Sequence, residues 1–138
     1  MAINKRIVAL DIGTKRIGTA VSDALYLGAT PIKTIERTSD KKALEEIVQL
    51  CKEYSTDIIL IGVPYNMDGT LGFQAENCLN FIKPLRETYT IIEQDERLSS
   101  ETAENILKQN GKKYTKNKGL VDSAAAAVIL QDYLDSLK

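Results

Sequence analysis

Histidine is absent from this sequence of 138 residues. Its absence excludes Ser-His-Asp and Cys-His nucleophilic sites, histidine general bases and every zinc site that uses imidazole ligands. Catalysis by this chain therefore has to use carboxylates, lysines, hydroxyl groups or a bound metal ion.

Cysteine is scarce as well, since the chain has only Cys51 and Cys78. Two cysteines are too few, and too poorly spaced, for a disulfide framework or a zinc site. Both lie within helical patterns of apolar residues, and we interpret them as core thiols.

Long hydrophobic runs and an excess of positive charge are also missing. No run reaches the roughly 18 apolar residues of a membrane helix, and no secretory signal opens the chain, so we expect a cytoplasmic protein without a membrane segment. The net charge is −1 and the isoelectric point is near 5.5. Because nonspecific polyanion binders are usually basic, binding to nucleic acid would need a local basic patch. The two Phe and six Tyr indicate no stacking platform, so composition does not separate RNA from DNA, nor does it indicate an oligomeric state.

The length and the order of patterns predict one α/β domain over residues 1–138. The predicted elements are, in chain order, two strands within 6–23 joined by a turn at 13–16, a strand at 31–37, a helix capped by Ser39 or Asp40, a buried strand at 57–64, a helix at 73–86 that Pro84 kinks or ends, a strand at 89–96, a helix at about 99–109 and a final helix at 119–137. The first three strands predict an antiparallel meander, and the later alternation of strands and helices predicts parallel crossovers. We therefore expect a mixed five-stranded sheet with helices on both faces.

One acidic residue interrupts the first apolar run. Asp11 follows "IVAL", where the pattern calls for another core residue, and burying an unpaired charge costs several kcal/mol. Asp11 therefore has either a strong partner or a function that needs negative charge.

Further acids lie where they can meet Asp11. Asp95 and Glu96 end the last predicted strand, and functional residues of open parallel sheets gather outside the carboxyl ends of strands. Asp122 lies in the first turn of the final helix, on the face that it shares with Ala126 and Ile129. Strand alternation leaves the choice between Asp95 and Glu96 open.

Three acids without a histidine are typical of oxygen ligation of Mg²⁺ or Mn²⁺. Two such ions about 3.5–4 Å apart can activate water and stabilise the leaving oxygen in phosphodiester hydrolysis. The alternatives are structural: a turn-forming Asp at a strand end, a stabilising acid at a helix N-terminus, and a surface ion pair within "DER".

Two further segments are candidates for contact with a phosphate backbone. Asp68-Gly69 is a turn signal, and the flanking Asn66 and Thr70 either complete that turn or donate hydrogen bonds to phosphate. The segment 108–118 has five lysines and no acid, which predicts an exposed basic loop. Its lysines are either solvated or bind phosphates; the candidates are Lys112, Lys113, Lys116 and Lys118.

Four motifs together resemble a known family. They are "ALDIGTKRIGTAVSD" at 9–23, "GVPYNMDGT" at 62–70, "DERLSS" at 95–100 and "VDSAAAAVIL" at 121–130. Their order and spacing resemble the YqgF family, also called the RuvX family, of bacterial ribonuclease H-like proteins. The resemblance implies a ribonuclease H-like fold and a nuclease that matures the 5′ end of pre-16S rRNA, with Holliday junction resolution on DNA as the older proposal.

The resemblance also implies roles for particular residues. The acidic triad of the family falls on Asp11, on Glu96 rather than Asp95, and on Asp122, as catalytic residues that bind Mg²⁺ or Mn²⁺. Lys15 and Arg97 either contact substrate phosphates or pair with these acids.

Two other functions compete with the nuclease. "LDIGTKRIG" also resembles the first phosphate loop of actin-like ATPases and sugar kinases, but that architecture needs two such domains and this chain has the length of one. A noncatalytic RNA-binding or ribosome-associated factor would keep the fold without using the acids, and the acidic isoelectric point leaves that alternative open.

Overall fold

A computed structural model of the protein describes residues 4–96 and 118–137. The strands are β1 (Ile7–Ile12), β2 (Arg16–Ser22), β3 (Ala29–Glu36), β4 (Ile58–Val63) and β5 (Thr90–Asp95). The helices are α1 (Asp40–Glu53), α2 (Phe73–Ile82) and α3 (Lys118–Ser136), and a short 3₁₀ turn at Lys83–Leu85 follows α2.

The five strands form one sheet in the order β3-β2-β1-β4-β5. β1 pairs antiparallel with β2, and β2 pairs antiparallel with β3. β4 is parallel to β1 and to β5. This arrangement confirms the predicted mixed sheet and places the carboxyl ends of β1, β4 and β5 at one edge.

Helices cover both faces of the sheet, as the sequence predicts. Leu10 of β1 and Ile61 of β4 belong to the apolar cluster formed with α1 and α2. Ala9 and Leu60, one position earlier on the same strands, belong to the cluster formed with α3. Because both faces are covered, the central strands are almost continuously apolar rather than alternating.

Local signals determine where the first two helices begin and end. Ser39 is the N-cap of α1, and its side chain accepts a hydrogen bond from the backbone N–H of Lys42 at 3.2 Å. α2 ends at Ile82, and Pro84 lies in the following 3₁₀ turn, which confirms the predicted effect of the proline.

Some predicted boundaries differ from the structure. β3 starts at Ala29 and includes Pro31, which an edge strand tolerates because one side of it pairs with no neighbour. Lys118 is the first residue of α3, so its assignment to the basic loop is wrong. Lysine is a good helix former, and the run of lysines alone does not show where the loop ends and the helix begins. The predicted helix at 99–109 and the rest of the basic loop lie outside the described residues.

No helix in residues 4–96 and 118–137 is both long and apolar enough to cross a bilayer.

Candidate active site

Asp11 lies on the α3 face of the sheet. Ile7 and Ala9, which precede it at alternate positions of β1, both belong to the cluster under α3. Burial and, secondarily, the nearby Asp122 carboxylate raise the pKa of Asp11 from 3.8 to about 6. The structure therefore holds this carboxylate in surroundings that disfavour its charge.

Gly18 brings the start of α3 down onto β2. Gly18 pairs with Asp11 across the β1–β2 ladder. A Cβ atom at Gly18 would lie 1.9 Å from the backbone oxygen of Asp122. Only a residue without a side chain permits this approach, and it is this approach that sets Asp122 beside Asp11.

Glu96 reaches the same face from the end of β5. Its backbone N–H donates to the Val63 carbonyl oxygen at 3.0 Å, and the residue is 8% exposed. Its Cγ and the Cδ1 of Ile129 on α3 each lie 2.8 Å from where a Cβ of Gly62 would be. The register of β1 with β4 ends at Leu10 opposite Ile61, so the next position sets Gly62 beside Asp11. Glu96, unlike the exposed Asp95, is thus buried under α3.

Arg16 also belongs to this site, and the sequence reasoning missed it. Its Nε donates to Asp122 Oδ2 at 2.9 Å, and the two side chains are 30% and 26% exposed. Arg16 and Gly18 are two positions apart on β2 and so share a face. Extending that alternation would have placed Arg16 at the site, although its partner is 106 residues away in sequence.

The donor chemistry fits a hard divalent cation. Asp11, Glu96 and Asp122 offer carboxylate oxygens, and a cation would compensate the negative charge that burial and the neighbouring Asp122 disfavour at Asp11. Within the described residues, however, no group of three or more Asp, Glu, His or Cys is arranged to hold a metal ion, and Asp122 is paired with Arg16 instead. Cation binding therefore calls for local rearrangement of these side chains.

Arg37 fixes the turn that connects Asp11 with Arg16. Its Nη1 donates to the Gly13 carbonyl oxygen at 2.8 Å, and its Nη2 donates to Asn77 Oδ1 at 3.1 Å. The guanidinium stacks on the ring of Phe81 at 4.5 Å, and the side chain is 8% exposed. Sequence patterns gave no signal for this residue, because its contacts join the turn to α2.

The predicted turn at Asp68-Gly69 is confirmed. Gly69 has a φ of 86°, the left-handed conformation that glycine adopts readily. Asn66 Nδ2 donates to Thr70 Oγ1 at 3.0 Å, and Thr70 Oγ1 donates to Asp68 Oδ1 at 2.6 Å. Both candidate phosphate-binding side chains thus support the turn, and their contact with phosphate stays a prediction.

The structure describes only some of the other lysines and arginines that are candidates for phosphate contact. Lys15 is exposed in the β1–β2 turn, at the same edge of the sheet as Asp11. Lys118 is placed by its backbone at the start of α3. The others lie outside the described residues: Arg97, Lys112, Lys113 and Lys116.

A family model and curated relatives match nearly the whole chain. The model of the RuvX family, described as Holliday junction resolvase, matches residues 5–136. A protein of Thermoanaerobacter pseudethanolicus named "Putative pre-16S rRNA nuclease" is 42% identical over 136 residues, which cover 96% of this chain and 98% of the relative. A protein of Crocosphaera subtropica with the same name is 47% identical over 131 residues, which cover 93% of this chain and 91% of the relative.

Solved structures share the fold. The fowlpox virus resolvase in complex with Holliday junction DNA superposes with a TM-score of 0.61 at 17% identity, covering 96% of this chain and 98% of the resolvase. RuvC of T. thermophilus, in complex with a Holliday junction substrate, superposes with a TM-score of 0.55 at 12% identity, covering 97% of this chain and 96% of RuvC. These likenesses show a mixed-sheet, ribonuclease H-like α/β fold for this chain.

Proposed function

Because the chain belongs to the RuvX family, we propose that it is a nuclease that hydrolyses phosphodiester bonds during 5′-end maturation of pre-16S rRNA. Curated relatives that are 40% to 47% identical over nearly the full chain carry the pre-16S rRNA nuclease name. Such processing implies work in the cytoplasm on an RNA substrate.

The observation that carries the proposal is the position of Asp11. A carboxylate on a buried strand faces Asp122, under a helix whose approach depends on a glycine. A purely structural role would leave a charge that opposes folding, whereas a nuclease needs such carboxylates. The phosphotransfer alternative is not supported by the family match, which assigns nearly the whole chain to RuvX.

We assign the cation site to the three carboxylates. Asp11, Glu96 and Asp122 would hold Mg²⁺ or Mn²⁺ through their oxygens. The bound cation would supply the positive charge that an attacking water and a leaving oxygen require in phosphodiester hydrolysis. The chain has no histidine, and a carboxylate of this site would accept the proton of that water.

The chain's own cations would then orient the substrate. Lys15 is exposed in the β1–β2 turn, at the same edge of the sheet as Asp11, and the sequence has further lysines just before α3. Phosphate contacts of this kind fix the register of a nucleic acid without reading its sequence. Such lysines would also provide the local positive charge that an acidic protein needs to bind RNA.

A DNA junction is the second candidate substrate. The family description favours it directly, since it names Holliday junction resolvase. A site that contacts the phosphate rather than the base would not by itself distinguish DNA from RNA.

A cleavage assay with matched substrates tests the function. The parent, Asp11→Asn and the control Asp135→Asn, an exposed acid on α3, are each incubated in Mg²⁺ or Mn²⁺ with two labelled substrates. One is an RNA that spans the 5′ boundary of 16S rRNA, and the other is a four-way DNA junction.

We expect the parent and Asp135→Asn to cleave the RNA, and Asp11→Asn to lose several orders of magnitude in rate. Cleavage of the junction alone would support the resolvase function in place of rRNA maturation. Binding of RNA without cleavage by the parent would identify a noncatalytic RNA-binding factor and contradict the proposal.

A further inference from the structure

Arg16 is only partly engaged by the protein. Its hydrogen bond to Asp122 uses Nε alone, and within the described residues its two terminal nitrogens donate to no other group. A guanidinium can donate from those nitrogens to two oxygens of one phosphate. With its side chain 30% exposed, Arg16 is accessible from solvent at the edge where the acids meet.

The partner of Arg16 is a residue that cation binding requires. A metal ion at Asp122 and the guanidinium of Arg16 are both attracted to the same carboxylate, whose Oδ2 accepts from Arg16 at 2.9 Å. Two positive groups that share one carboxylate disfavour each other. By thermodynamic reciprocity, the arginine that weakens cation binding is itself loosened when the cation binds.

The backbone of Arg16 is fixed by hydrogen bonds, whereas its side chain is partly exposed and can change its partner. The Gly13 N–H donates to the Arg16 carbonyl oxygen at 2.9 Å, and Arg37 holds the same turn from the other side. A released Arg16 side chain therefore stays at the site. Substrate phosphate arriving near three carboxylates also needs a nearby cation, because like charges otherwise repel it.

We propose that Arg16 exchanges partners during function: it pairs with Asp122 in the metal-free protein and binds a substrate phosphate once a divalent cation occupies the carboxylates. Arg16 is then a substrate-binding residue that also neutralises the charge of Asp122 when no cation is bound. This inference rests on the proposed nuclease function and adds a residue to it.

Two binding measurements on EDTA-stripped protein test the exchange, with Arg16→Gln compared with Arg86→Gln. Arg86 donates to Glu93 at 2.8 Å in another Arg–carboxylate ion pair, and Glu93 shares a face of β5 with Ile91, which packs on the α1 and α2 side of the sheet rather than under α3. Mn²⁺ affinity is measured by calorimetry. Affinity for a short single-stranded RNA is measured by fluorescence anisotropy, with and without Mn²⁺, and the RNA is checked to be intact afterwards.

We expect Arg16→Gln to bind Mn²⁺ about fivefold more tightly than the parent, the size of effect that removing a partly exposed ion pair produces. In Mn²⁺ it should bind RNA about tenfold more weakly, and without Mn²⁺ the loss should be smaller, because Asp122 then holds Arg16 in the parent. Arg86→Gln should match the parent throughout. Arg16→Lys keeps the charge without the planar fork and should fall between parent and Arg16→Gln.

Unchanged or weaker Mn²⁺ binding by both Arg16 variants would overturn the exchange, because Arg16 would then support the metal ligands rather than compete for them. An RNA affinity that does not depend on Arg16 would overturn it as well. A parent that binds no Mn²⁺ would overturn the metal-dependent function together with the exchange, whereas Mn²⁺ binding indifferent to Arg16 would overturn the exchange alone.

Discussion

At the scale of single residues, Asp11 is held in a state that costs stability. Its pKa is 3.8 in the absence of the fold and about 6 within it, so between these values the folded state binds more protons than the unfolded state. The contribution of Asp11 to stability therefore falls as pH rises from about 4 to about 6 and stays at the lower level above that range. Near neutral pH, the charge on Asp11 therefore opposes folding.

Asp11→Asn should remove this penalty. In EDTA at pH 7.5, the variant should be more stable than the parent by up to about 3 kcal/mol, since one pKa unit corresponds to about 1.4 kcal/mol. At pH 4.5 the two proteins should differ less. Urea unfolding at both pH values measures the difference, and Asp135→Asn on the exposed side of α3 is the control.

A difference in stability between parent and variant that is the same at pH 4.5 and 7.5, or a variant that is less stable at pH 7.5, would contradict this account of Asp11. Either result would mean that Asp11 has a stabilising partner at neutral pH.

Single residues also show what sequence reasoning can and cannot reach. Asp11 was found because a charge in an apolar run violates a local rule. Arg16 and Arg37 violate no local rule, because each has polar neighbours in the sequence. Each contacts a partner that is far away in the chain. Local periodicity carries no information about such pairs.

At the scale of elements, the site depends on how closely α3 approaches the sheet. Gly18 of β2 and Gly62 of β4 lie under α3, against Asp122 and against Ile129 respectively. The element order and strand directions could be predicted, because they follow from hydrophobic patterns. The close approach of α3 to the sheet could not be predicted, because it depends on tertiary contacts between segments distant in sequence.

Gly18→Ala should therefore damage both stability and the site. Its Cβ would lie 1.9 Å from the Asp122 oxygen, a backbone atom that moves only if α3 moves. Overpacking of this kind costs about 1–3 kcal/mol or more. Gly28→Ala is the matched control, because its Cβ would meet only the Gln131 side chain at 3.8 Å.

Thermal melting of the two variants gives the comparison. We expect a clear loss for Gly18→Ala and a change within about 1 kcal/mol for Gly28→Ala. If both variants melt like the parent, α3 does not require the close approach, and Asp122 is not anchored beside Asp11 by it.

At the scale of the whole molecule, the charge distribution has to reconcile a net charge of −1 with a polyanionic substrate. The acids gather at one edge of the sheet, under the start of α3. The lysines that precede α3 in sequence are the nearest concentration of positive charge along the chain. The sequence predicts an exposed basic loop there, and Lys112, Lys113 and Lys116 lie outside the described residues.

Replacing Lys112, Lys113, Lys116 and Lys118 with Gln should weaken RNA binding across sequences. The slope of log affinity against log salt should fall by up to about one unit for each lysine that binds a phosphate in the parent. A control replaces four exposed lysines elsewhere in the molecule, namely Lys41, Lys42, Lys52 and Lys83. If both quadruple variants lower RNA affinity and the salt slope equally, the segment contributes only through net charge and does not contact phosphates specifically.

The central claim is that Asp11, Glu96 and Asp122 form one cation site, and Mn²⁺ calorimetry on single variants tests it most directly. We expect Asp11→Asn, Glu96→Gln and Asp122→Asn each to lose at least about tenfold in Mn²⁺ affinity, because each removes one charged ligand. Asp135→Asn should bind as the parent does. If Asp122→Asn or Glu96→Gln binds Mn²⁺ as tightly as Asp135→Asn, that carboxylate is not a ligand and the three acids do not form a single site.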